Sequence, residues 1–95
     1  MVEALMPKAE FLKRRRDKLK EQIVSNLDLL IGSIGKSPAM KYHNLTIKVK
    51  GKTVSKYVRK GLVPKVKTMT HRSKKVQSLL AKLSKVNWEL LKLES

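Results

Sequence analysis

Asn44-Leu45-Thr46-Ile47-Lys48-Val49-Lys50-Gly51-Lys52-Thr53-Val54-Ser55-Lys56-Tyr57-Val58 is the stretch that decides the fold. Apolar residues alternate strictly through its first six positions and nearly so through its last six, the period of a half-buried strand. A two-residue loop using Gly51 between such runs predicts a β-hairpin. That loop length sets the register: Leu45, Ile47 and Val49 share a face with Val54, Lys56 and Val58, and a slip of one residue would turn one strand over. The opposite face then carries Thr46, Lys48, Lys50, Thr53, Ser55, Tyr57 and Arg59, with no acid among them. A two-stranded ribbon is marginal alone in water, so its apolar face is expected to pack on a helix.

Toward the N-terminus, Leu12, Leu19, Ile23, Leu27, Leu30 and Ile34 recur at helical spacings, which predicts a helix over residues 7–31 with Pro7 in its first turn. Gly32, Gly35 and Ser37-Pro38 are expected to stop it, leaving 32–43 as a linker. Within the run from Lys13 to Lys18, one of Arg15 and Arg16 should lie at the apolar seam with its charged head reaching water. Arg14, Arg15 and Arg16 are candidates for additional phosphate contacts, against the plainer reading of a solvated face.

Toward the C-terminus, a second helix is predicted over 65–93. Met69, Val76, Leu83 and Leu90 repeat every seven residues, Leu79, Val86 and Leu93 fill the alternate position, and Arg72 breaks the pattern. Leu80, Trp88 and Leu91 widen the apolar surface and are candidate anchors for a protein partner; burial of Trp88 against the first helix or a dimer partner is the simpler expectation. The fold class expected is therefore α+β. Two long helices form an antiparallel helical hairpin or coiled coil, with a two-stranded β-hairpin at residues 44–58 between them, all in one domain spanning 1–95.

Charge says more about function than any motif does. All seven acids fall outside Leu29 to Trp88, a stretch of sixty residues that holds fifteen of the chain's 23 lysines and arginines, and the net charge is +16. A chain needing only solubility would intersperse both signs, since a single-sign surface repels itself and attracts polyanions. Ninety-five residues make a small domain that buries about 60–65% of the surface its unfolded chain exposes. The absence of cysteine excludes a disulfide framework and a thiol nucleophile. Glu3, Pro7 and Glu10 interrupt the apolar run an export signal would need, and Leu29-Leu30-Ile31 is far too short to span a bilayer.

Gly32-Ser33, Tyr42-His43 and the run from Val49 to Val58, followed by a long C-terminal helix, resemble a family of short prokaryotic proteins of unknown function, with the likeness covering about Leu27 to Leu91. The resemblance implies a helix, ribbon, helix order and a setting in a virus, plasmid or transposon; it implies no activity. Members commonly carry a cysteine cluster before the hairpin, where this chain has Lys36-Ser37-Pro38-Ala39-Met40, so metal binding does not carry over.

Catalysis is not expected. His43 and His71 have no acid within fourteen residues, too sparse for a zinc site or a triad. Magnesium-dependent cleavage would need carboxylates beside the basic surface. Gly32, Gly35 and Lys36 lack phosphate-loop spacing. No cofactor is implied.

The expectation is a non-enzymatic nucleic-acid-binding protein of the cytoplasm or nucleoid, associated with a mobile element or virus and preferring DNA to RNA. Its candidate contacts are Lys48, Lys50, Lys52, Lys56, Tyr57, Arg59 and Lys60 on and after the ribbon, and Lys65, Lys67, Arg72, Lys74 and Lys75 on the second helix. Most are lysines, which act as point charges on phosphate rather than forks for base edges. A homodimer through the C-terminal heptads is one expected association. A small adaptor or inhibitor that occupies an acidic or nucleic-acid-like surface of a larger complex is the alternative; an RNA-scaffold role ranks third, and no membrane partner is expected.

Overall fold

The computed structural model describes residues 7–36 and 38–94; residues 1–6, with Glu3 of the export-signal reading, and Ser37 of the Lys36–Met40 stretch lie outside them. The chain is α+β, with two α-helices and a three-stranded antiparallel sheet. The elements are α1 (Lys8–Val24), β1 (Ser33–Gly35), β2 (His43–Val49), β3 (Lys52–Val58), a 3-10 turn (Lys60–Leu62) and α2 (Val63–Glu94). They form two compact units. The first joins the chain up to Asn26 with the chain from Val76 onward, and the second is Leu27–Lys75.

In the first unit, Leu12 and Leu19 of α1 and Leu79 and Val86 of α2 form one buried cluster, flanked by Ile23, Leu83 and Leu90. Heptad residues of α2 are thus used within the chain, although Leu93 is exposed. Arg16, four residues after Leu12 and three before Leu19, is the half-buried arginine of its run. Trp88 is 61% exposed, so the expected burial against the first helix does not occur.

α1 stops seven residues before the expected Ile31. In a continuing helix the Gln22 carbonyl would accept the Asn26 amide N–H. Here the Asn26 N–H goes to the Ile23 carbonyl at 3.0 Å. The Gln22 carbonyl instead accepts the Asn26 side-chain amide at 2.7 Å and the Ser25 hydroxyl at 3.0 Å. Side chains that compete for backbone partners end a helix whatever apolar spacing follows. Leu30 and Ile34, expected on that helix, pack against the second core instead.

The second unit is built on the sheet, in the order β1-β2-β3. Val49 pairs with Lys52 and Ile47 with Val54, so Lys50 and Gly51 are the two-residue loop, with φ of 50° and 78°. Both values are positive, as the hairpin turn that matches strand twist requires. The expected register holds. A third strand lies within the expected linker, where Ile34 pairs with Leu45 and Gly35 with Asn44. Gly32 makes this approach feasible, because with φ at 139° a Cβ there would stand 2.7 Å from the Thr46 carbonyl oxygen.

Leu45 and Val58 of the sheet bury against Val63 and Val66 of α2, which supplies the helix that a thin ribbon needs. Farther along α2, the Leu30 amide donates to the Met69 carbonyl at 3.1 Å. Thr70 and Ser73 are buried on the same stretch, and the Thr70 hydroxyl donates to the Lys67 carbonyl at 3.0 Å. α2 begins at Val63, ahead of the expected Lys65, because Pro64 in a first turn forfeits no helical hydrogen bond.

Candidate nucleic-acid interface

Every residue proposed for the central basic surface, from Lys48 to Lys75, belongs to the Leu27–Lys75 unit. That unit carries thirteen lysines and arginines and one acid, Asp28. Its acid is already engaged, for Asp28 Oδ2 lies 3.6 Å from Arg72 Nη1. Arg72, a candidate phosphate contact, also donates from the same Nη1 to the Asp28 backbone carbonyl at 3.0 Å, which ties the segment at Asp28 to α2.

The register divides the remaining cations. Cross-strand partners share a face, so Ser33, Thr46 and Ser55 form one row, Gly35, Asn44 and Tyr57 a second, and Lys48 with Thr53 a third. These rows make a polar face in which the Thr46 and Ser55 hydroxyls lie 3.5 Å apart. Lys48 is the cation on this face, and Lys50 stands at its end in the turn. Lys52 and Lys56 point the other way, with Leu45 and Val54, yet both are exposed because β3 is an edge strand whose apolar side is covered only near Val58. Lysines on an exposed edge also discourage pairing with another chain. Arg59 keeps an extended backbone, φ −63° and ψ 145°, so alternation puts it on the side of Tyr57.

On α2, Lys67, His71 and Lys74 fall four and three residues apart and line one exposed stripe, while the exposed Lys65 and the half-buried Arg72 lie seven apart. Lys60 and Lys75 are exposed as well. Among the described residues, none of the strand lysines meets a carboxylate.

Two features escaped the sequence reading. Tyr42 and Tyr57 form an edge-to-face pair, centroids 5.1 Å apart and planes at 88°, with Lys41 Nζ 5.6 Å from the Tyr42 centroid. The pairing of Asn44 with Tyr57 creates it, since Tyr42 immediately precedes β2. The other is Lys50, a non-glycine residue at positive φ. For an L-residue that conformation costs roughly 1–2 kcal/mol.

In the first unit, Arg16 pairs with the neighbouring Asp17 at 3.1 Å. Arg15 borders a groove of about 450 Å³ with Lys8, Phe11, Lys82, Lys85 and Glu89, and Arg14 is exposed. Leu80 and Leu91, like Trp88, are exposed on α2. Among the described residues, no three metal-ligating side chains cluster and no helix is long and apolar enough to cross a membrane. No family model, curated protein or solved structure matches the chain.

Proposed function

We propose that the Leu27–Lys75 unit is a non-enzymatic module that holds the phosphate backbone of nucleic acid, DNA before RNA. The observation that carries this reading is the sign of its charge: it carries thirteen cations against one acid, and that acid is paired with Arg72. A surface of this kind gains affinity by releasing the counterions that phosphates hold. Lys50 adds support, because the turn demands a positive φ at the loop tip and the chain places a lysine there. Asparagine or glycine would suit that position better; lysine puts a charge at the tip. The mobile-element setting rests on the family resemblance alone.

Equilibrium binding of the nuclease-treated chain to duplex DNA, single-stranded DNA and duplex RNA over a salt series tests the proposal. Affinity falling steeply with salt, and lowered further by Lys48→Glu and Lys74→Glu, supports it. Absence of binding at low salt removes it.

A second reading draws on the first unit, where α1 and α2 would form an antiparallel helical hairpin. With Val76, Leu79 and Val86 buried inside the chain, a protein partner or second copy would have to use the exposed Leu80, Trp88 and Leu91. A stoichiometric partner that survives nuclease and high salt would favour this adaptor role.

A further inference from the structure

We infer that the polar face of the sheet takes an unpaired nucleobase on the ring of Tyr57, which makes single-stranded nucleic acid the ligand of the basic unit. This rests on the nucleic-acid reading above and narrows it.

Tyr57 is 57% exposed and Tyr42 is 48% exposed, although their rings touch. In an edge-to-face pair one ring gives an edge and the other a single face, so whichever role Tyr57 takes, Tyr42 leaves at least one of its faces uncovered. The contact also orders the ring in advance, which lowers the entropy lost when a flat ligand stacks on it. Next to Tyr57 on its cross-strand row stand Asn44 and Gly35. The Asn44 side-chain amide donates one N–H toward Met40 Sδ at 4.0 Å, which leaves its oxygen and second N–H for a base edge. Over Gly35 the surface is open, with no described neighbour within 4 Å of where a Cβ would stand.

Cations bracket this platform. Lys41 lies against the Tyr42 ring, and Arg59 follows Tyr57 on the same side of the extended backbone. In the other direction the hydroxyls of Thr46 and Ser55 lead to Lys48, paired with Thr53. Thr53 is four residues from Tyr57, about 13 Å along the strand. A base on Tyr57 thus leaves the flanking phosphates within reach of lysine or arginine on either side. In a duplex the faces of the bases are covered by their neighbours, and an exposed tyrosine finds nothing to stack on. An unpaired strand supplies a free face, and aromatic stacking accepts any base.

The test uses the full chain and three labelled probes of equal length, oligothymidylate, oligouridylate and a mixed-sequence duplex, at one ionic strength. The variants are Tyr57→Leu and Tyr57→Phe, with folding checked by circular dichroism. Tyr57→Leu is expected to weaken single-strand binding roughly 5- to 150-fold, the range of one lost base stack, and to change duplex binding less than about twofold. Tyr57→Phe, which keeps the ring, should bind like the parent. The two single-stranded arms distinguish DNA from RNA as the source of the base. If Tyr57→Leu leaves single-strand binding intact, or weakens duplex and single strand alike, the stacking site is wrong while the nucleic-acid reading stands. If no probe binds the parent chain, both fail.

Discussion

Arg72 and Asp28 are joined twice: the guanidinium Nη1 donates to the Asp28 carbonyl at 3.0 Å and lies 3.6 Å from its carboxylate. The carboxylate is 84% exposed and the arginine 39%, so the backbone bond contributes more than the ion pair. Arg72→Ala is expected to cost about 1–2 kcal/mol in urea unfolding, as loss of a charge-assisted hydrogen bond does. Asp28→Asn, which keeps the carbonyl, should cost less than about 0.5 kcal/mol. Equal costs would mean that the ion pair holds the segment.

Gly32 tests the third strand. Both its φ of 139° and the 2.7 Å approach of a Cβ to the Thr46 carbonyl oppose any side chain. Gly32→Ala should therefore lose about 2–3 kcal/mol. Gly35→Ala, made in open space on the same strand, should stay within about 0.5 kcal/mol of the parent. Equal stability of the two variants would contradict the pairing of β1 with β2.

Lys50 separates stability from binding. Lys50→Asn places at this positive φ a residue that tolerates it better and should raise unfolding stability by about 0.5–1 kcal/mol. The same change removes one phosphate contact, so the slope of log affinity against log salt should shrink by about 1. A variant that gains stability with an unchanged slope would take Lys50 out of the interface.

Two leucines of helical or heptad spacing should behave differently in the first unit. Leu12 is buried beside Val86, whereas Leu93 is exposed. Thermal or urea unfolding should show a loss of about 2–5 kcal/mol for Leu12→Ala and less than about 1 kcal/mol for Leu93→Ala.

β2 and β3 were legible because two physical signals agreed there: alternation of Leu45, Ile47 and Val49, and a Lys50-Gly51 loop whose length admits one register. α2 was legible from its seven-residue repeat, and its exception, Arg72, is explained by a partner forty-four residues away that no periodicity reveals. The end of α1 was misread because Leu27, Leu30 and Ile34 prolong a helical spacing by coincidence. Hydrogen bonds from Ser25 and Asn26 to the Gln22 carbonyl decide that boundary. β1 has three residues, too few to show alternation, and Gly32 marked a close approach rather than a helix stop. In the candidate site the identity of the cations was plain. Their division between two faces followed from parity, and the Tyr42–Tyr57 pair emerged only once Asn44 was placed opposite Tyr57.

The central claim is that phosphate binding belongs to the Leu27–Lys75 unit, and the salt slope of binding to a single-stranded oligonucleotide tests it most directly. Lys41→Gln, Lys48→Gln and Arg59→Gln, made singly in the full chain, should each reduce the slope by roughly 0.7, while Lys13→Gln and Lys82→Gln in the first unit should leave it unchanged. A slope near zero in the parent, or one that responds to the first-unit substitutions and not to these three, would contradict the account.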